Sequence, residues 1–171
     1  MLYLLDANVL ITAHTLYYPV DGVPEFWSWL AYKGEMGELK IRLENFEEVK
    51  DGSTDQEKDL LYAWIKSEGI EESILFDEDV DTDLVQAVIE QGYANDLTED
   101  EVIQVGRDPF LIAHALAAPG NRCVVTTEVS KPSRIRQNRH IPDVCSTMGV
   151  QCCNTFAMMK ALGFRTDWKR V

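Results

Sequence analysis

Apolar and polar positions along the chain alternate between short strand-like runs and helical periods. Leu2–Leu5 is an apolar run ending at Asp6 and predicts a buried strand. Pro24 opens a helix in which Val23, Phe26, Trp27, Leu30 and Ala31 recur at helical spacing, ended by Gly34 or Gly37. Leu39–Leu43 sets Leu39, Ile41 and Leu43 against Lys40 and Arg42, the period of a second strand. A short helix follows over Glu44–Lys50, with Phe46 and Val49 on one side and Gly52 as its stop. Thr54 and Glu57 form a capping-box pattern ahead of Leu60, Leu61, Trp64 and Ile65, a helix ended by Gly69. Ser73–Phe76 predicts a third strand. Asp81 or Thr82 caps the next helix, with Leu84, Val85, Val88 and Ile89 inward. Thr98 and Glu101 repeat the capping box. Asp108-Pro109 opens a helix carrying Leu111, Ile112, Ala115 and Leu116, with Asp at the cap and Pro at the first helical position. Cys123–Thr126 is a strand, followed by a basic loop over Ser130–His140 and a short helix from Asp143. Gly149 precedes a last strand, Val150–Cys152, and Asn154 or Thr155 caps the final helix, which ends near Gly163.

Strands alternating with helices predict an α/β fold, a mainly parallel sheet covered on both faces. With 171 residues, 46% of them hydrophobic, and no linker or repeat, a single domain over 1–171 is expected. In such sheets ligands bind beyond the carboxyl ends of the strands.

Charge changes the picture. The net of −13 argues against a protein that coats nucleic acid. It is unevenly placed: Lys131–Val171 carries eight basic and two acidic residues, a net of +6, which leaves −19 on the first 130 residues. From Glu44 to Asp108 there are 21 acids and four basic residues. Many, such as Glu99–Glu101, fall at helix starts, where they offset the helix dipole. The remainder forms a solvated flank or a docking face for a basic partner. The N-terminus has an Asp within its apolar run and no basic leader, so a signal peptide is not expected. No run approaches the roughly 18 apolar residues of a membrane span. Cys123, Cys145, Cys152 and Cys153 form no C-x-x-C pair, which predicts reduced, mostly buried thiols in the cytoplasm.

The candidate chemistry lies in acids at strand ends. Asp6 directly follows the first strand, and Glu44, Glu47 and Glu48 follow the second, of which Glu48 is placed to face the sheet edge. Asp108 starts a helix leading to a later strand, and Glu128 follows that strand. Carboxylates crowded at one edge repel unless protonated or joined by a cation. Hard oxygen ligands suit Mg²⁺ or Mn²⁺, which retain several waters and bind phosphates. Each acid also has a structural alternative: a turn cap for Asp6, a helix cap for Asp108, a solvated helix face for Glu48 and a loop ion pair with Lys131 for Glu128.

At these positions the sequence resembles the PIN-domain ribonucleases. LLDANVLI at Leu4–Ile11, EEV at Glu47–Val49, DPFLIAHALA at Asp108–Ala117 and VVTTE at Val124–Glu128 are similar to that family's four acidic motifs, in the same order. Ile141–Cys152, Tyr17-Tyr18-Pro19 and the Trp-rich Phe26–Leu30 are similar to a bacterial PIN-like subfamily of uncharacterised function. The resemblance implies a three-layer α/β/α fold around a five-stranded parallel sheet and a Mg²⁺- or Mn²⁺-dependent endoribonuclease acting on single-stranded RNA. Many relatives are VapC-type toxins held by an antitoxin. It implies Asp6, Glu48 and Asp108 as the metal-binding triad, with Asn8 and Thr126 supporting the site. Glu128 stands where many members have Asp or Asn, so its extra methylene favours contact through water. Candidate partners are single-stranded RNA, an antitoxin and a second copy of the chain.

An all-carboxylate pocket needs cations elsewhere to hold RNA. Lys131, Arg134, Arg136 and Arg139 directly follow Glu128, and Tyr17 and Tyr18 are candidates for stacking on unpaired bases. The same loop also reads as a solvated segment that balances nearby acids. His14, His114 and His140 read as structural. A competing reading is a non-catalytic scaffold whose acids merely cap helices. A dehalogenase-like phosphatase ranks below both, because Asn8 stands where that chemistry needs a second Asp.

Overall fold

The computed structural model describes residues 1–51 and 60–170; the Gly52 stop and the capping-box pattern at Thr54 and Glu57 lie outside them. Five parallel strands form one sheet: β1 (Leu2–Leu5), β2 (Leu39–Arg42), β3 (Leu75–Phe76), β4 (Arg122–Val125) and β5 (Gln151–Cys153), in the order β3-β2-β1-β4-β5. Leu5 lies opposite Ile41 on one side and Val125 on the other. Ten α-helices occur among the described residues. α1 (Ala7–Thr12) continues through a π-helical turn to Tyr17, and α2 spans Pro24–Glu35. α3 (Leu43–Asp51), α4 (Leu60–Ile65) and α5 (Ile70–Ile74) precede β3. α6 (Thr82–Ala87) runs on as π-helix to Tyr93, before α7 (Glu99–Val105) and α8 (Asp108–Leu116). α9 (Ile141–Met148) and α10 (Thr155–Ala161) flank β5.

Adjacent strand residues point to opposite faces, and each face carries its own core. Leu5, Ile41 and Val125 pack with Phe26, Trp27, Trp29, Phe46 and Met158. Leu4, Phe76 and Val124 pack with Val88, Leu111, Ile112 and Val144. Each large apolar side chain buried this way contributes about 1.5–3 kcal/mol. This is the predicted three-layer α/β/α arrangement with an all-parallel sheet. Among the described residues, no helix is long and apolar enough to cross a membrane.

Four local expectations need correction. Helix α1 begins directly after Asp6, where the sequence shows only one apolar run interrupted by an acid. The first half of the expected strand at Ser73–Phe76 is the end of helix α5, leaving two residues for β3. Arg42 is buried although it alternates with the apolar side of β2. Its guanidinium donates to the carbonyls of Phe76 and Glu78 and so fastens the sheet edge. Gly34 is a packing notch rather than the helix stop: a Cβ there would stand 2.4 Å from the Ser73 carbonyl oxygen, whereas Gly37 takes the left-handed turn after α2 (φ 68°). The two capping sites predicted at Asp81 and Thr98 form, the second with both bonds of its box.

Candidate active site

The strand order reverses between β1 and β4, so the crevice expected for a ligand opens beyond the carboxyl ends of these two strands. Asp6 and Thr126 are the first residues past those ends. The Asp6 N–H donates to the Val125 carbonyl (2.9 Å), which prolongs the ladder by one bond and fixes Asp6 at the crevice. Asp6 is 3% exposed and occupies the cap position of α1, yet its side chain makes no capping bond. Instead one carboxylate oxygen accepts from the Thr126 hydroxyl (3.0 Å) and, more loosely, from Asn8 Nδ2 (3.5 Å). The Thr126 hydroxyl in turn accepts from the Glu128 N–H (3.2 Å). Thr126 and Asn8 therefore both orient Asp6.

Asp108 comes from the other layer. Arg107, not Asp108, occupies the cap position of α8; Asp108 is the first helical residue and Pro109 the second. Burial pushes the Asp108 carboxyl up to about 8, and the charges of Asp6, Glu128 and Glu48 push in the same direction. Asp6 is raised by burial and by Glu128, against the lowering effect of the Thr126 hydrogen bond. Glu48 is raised by partial desolvation, with Arg107 opposing and Asp6 adding to the rise. The four acids from four separate segments thus feel one another across the crevice.

They are not equivalent. Glu128 Oε2 accepts from the Ile141 N–H (2.7 Å), so this carboxylate secures the start of α9. Glu48 is exposed, and its Oε1 lies 3.7 Å from Arg107 Nε. Arg107 also approaches Glu47 (3.8 Å) and donates to the Glu44 carbonyl, tying α3 to the start of α8. Sequence reasoning missed Arg107, whose one signal was its place directly before Asp108. It also missed Tyr93. That buried hydroxyl has no partner among the described residues, and burial followed by Asp108 and Glu128 raises its pKa. Tyr93 continues the spacing of Val85 and Ile89, so it reads as core from sequence.

The cationic and aromatic candidates divide. Tyr17 is half exposed at the crevice rim, whereas Tyr18 stacks on Phe26 (centroids 4.5 Å apart) within the first core. Arg136 pairs with Asp96 and Glu101 (2.6 and 2.7 Å). Arg139 donates to Gly92, Asp143 and Thr147. Lys131 and Arg134 are exposed, and among the described residues their side chains have no ion pair. The histidines are structural. His14 Nδ1 accepts from the Val20 N–H, and His140 Nδ1 lies 2.8 Å from the Val129 carbonyl oxygen. His114 is buried, and burial and Arg42 push it down to about 4. All four cysteines are free, Cys123 and Cys145 buried.

The donor set is wholly carboxylate, and its mutual repulsion would be relieved by a hard divalent cation. Among the described residues, no three His, Cys, Asp or Glu side chains stand close enough to form a ligand set. Carboxylates of this kind would hold a hydrated Mg²⁺ or Mn²⁺ through one or two of their number, with water completing its shell.

A family model described as a domain of unknown function, DUF4411, matches residues 3–166, which include Asp6, Glu48, Asp108 and Glu128. The chain matches no curated protein.

Proposed function

The chain belongs to the DUF4411 family, and we propose that it is a divalent-metal-dependent endoribonuclease cleaving single-stranded RNA. The observation that carries this reading is the convergence of Asp6 and Asp108, with Glu48 and Glu128 in electrostatic reach, at the point where the strand order reverses. The resemblance of the surrounding motifs to the PIN-domain ribonucleases supports the same chemistry.

In this proposal Asp6 and Asp108 would hold Mg²⁺ or Mn²⁺, with Glu48 and Glu128 acting on it from farther out. When bound, such an ion stabilises charge on the phosphate and makes water a better nucleophile near neutral pH. Thr126 and Asn8 aim the Asp6 carboxylate. Burial and the neighbouring acids favour the protonated form of Asp108, which would have to give up that proton to hold the cation, so affinity would rise with pH. Lys131 and Arg134 hold the strand's phosphates, since Arg136 and Arg139 are committed elsewhere. The decisive experiment compares the wild type with Asp6→Asn on single-stranded RNA with Mn²⁺. Cleavage by the first and its loss in the second are expected; equal activity, or none in either, defeats the reading.

On the resemblance we extend the proposal to a cytoplasmic toxin held by an antitoxin. The reduced thiols are compatible with that compartment. Growth arrest on expression, relieved by co-expressing the product of an adjoining gene, tests it. A non-catalytic scaffold is the second reading, favoured by the bond from Glu128 to α9. Crystals soaked in saturating Mn²⁺ decide between them: metal between Asp6 and Asp108 supports the enzyme, and its absence there supports the scaffold.

A further inference from the structure

Beside the carboxylates, toward β5, lies a cleft of about 570 Å³. It shares Thr126 and Glu128 with the candidate active site. Tyr17 at the end of the first helix, and Asn154, Thr155 and Phe156 at the start of α10, form much of its remaining wall. Several groups of this wall are left open by the fold. Tyr17 and Phe156 are 51% and 49% exposed, belong to neither core and meet edge to face with centroids 5.1 Å apart. Thr155 is only 8% exposed, and its buried hydroxyl has no hydrogen-bond partner among the described residues. A hydroxyl left so is costly unless something completes it. Asn154 uses Oδ1 to cap α10 through the Ala157 N–H (2.8 Å), and its Nδ2 has no partner among the described residues.

Exposed ring faces, a hydroxyl and a free amide together match a flat, heteroatom-edged ring, which is the chemistry of an unpaired nucleobase. The cleft's size is within the range of about 300–1,000 Å³ typical of small-molecule sites. Thr126 links the two: it lines the cleft and also donates to Asp6, so the cleft opens directly beside the carboxylates. The wall continues at Ser130 directly into Lys131, which places a cation where the strand leaves. We propose that this cleft takes the unpaired nucleobase adjoining the phosphate at Asp6 and Asp108. The site deepens the ribonuclease reading and rests on it for the identity of its strand. Stacking on Tyr17 and Phe156 supplies affinity for any base, and Thr155 with Asn154 supplies a preference among bases.

Free nucleosides test the cleft without phosphate or metal. Saturation-transfer NMR with adenosine, guanosine, cytidine and uridine is expected to show transfer to base protons for at least one of them, and none for ribose alone. Phe156→Ala and Tyr17→Ala should each weaken that nucleoside at least about fivefold. Thr155→Val, which keeps the shape and breaks no existing bond, should change the ranking of the four; it stands in should an alanine variant fail to fold. In parallel, cleavage of a randomised single-stranded RNA with Mn²⁺ should show a base preference beside the cut that Thr155→Val alters. Nucleoside binding that the variants leave unchanged, or binding of none of the four, overturns the cleft assignment even if RNA is cut. Variant-sensitive binding without any RNA cleavage keeps the base site and overturns the ribonuclease reading instead.

Discussion

Asp108 and Glu101 are seven residues apart, both acidic and both at the start of a helix, yet they sit in opposite electrostatic conditions. Glu101 closes the capping box on Thr98 and accepts two bonds from Arg136, and these hold its carboxyl down at about 2. Asp108 is partly buried among other acids, and desolvation with their charges drives its carboxyl up to about 8. The first acid is satisfied by the fold and the second is left in conflict with it. Structural acids in this chain acquire a cation or a backbone N–H, as Asp81 and Asp143 also do. The crevice acids mostly face one another, and a fold retains such an arrangement only at a cost to its own stability.

The contrast can be broken experimentally, and the largest effect is expected at Asp108. Its folded pKa lies above the unfolded value, so the folded state binds the proton more tightly. The resulting stability is complete below about pH 4 and is lost as pH rises through about 8. Asp108→Asn should therefore raise stability at pH 8 by a few kcal/mol, of order, and flatten the profile; urea denaturation across pH measures both. Parallel profiles for the two proteins would erase the distinction. Next in size, Mn²⁺ at about a hundred times its Kd should stabilise the wild type at pH 8 by about 2.7 kcal/mol, and Asp6→Asn much less, read as a shift in Tm. Third, Thr98→Ala should cost about 1 kcal/mol through the lost cap, with little dependence on pH between 6 and 8. Arg136→Ala should let the Glu101 carboxyl titrate back toward its ordinary range, visible by NMR. The smallest stability change belongs to Glu128→Gln, which preserves an acceptor for the Ile141 N–H. Removing that charge should still lower the Asp108 pKa, a shift the same titration resolves.

The layers and four of the strands were legible because short apolar runs and helical periods alternate cleanly in the sequence. Helix α1 was not, since Val9, Leu10 and Ile11 extend the apolar run of β1 and only Asp6 marks the break. Thr126, expected as the last residue of its strand, reached the site only through the resemblance; its pairing with Asp6 comes from the strand order, which makes β1 and β4 neighbours. Arg107 and Tyr93 escaped notice because neither breaks a pattern: one is a charge beside a helix start, the other an aromatic at core spacing. The basic loop was read as uniform, but a cation's availability depends on acids 35–40 residues distant, as Arg136 shows. Spacing within a loop carries no such information.

That loop has a further consequence. Its base is clasped by Glu128 to Ile141, Val129 to His140, and Ser130 and Lys131 to Asp143, while Arg136 at its middle is moored to Asp96 and Glu101. A segment with joined ends and a pinned centre is a compact Ω-loop, so its closure entropy is settled at the neck rather than along its length. The stretch between the clasp and the mooring, Pro132–Ile135, is free to vary in length and side chain without moving the crevice, and it is the place where this framework can change its ligand preference at least structural expense.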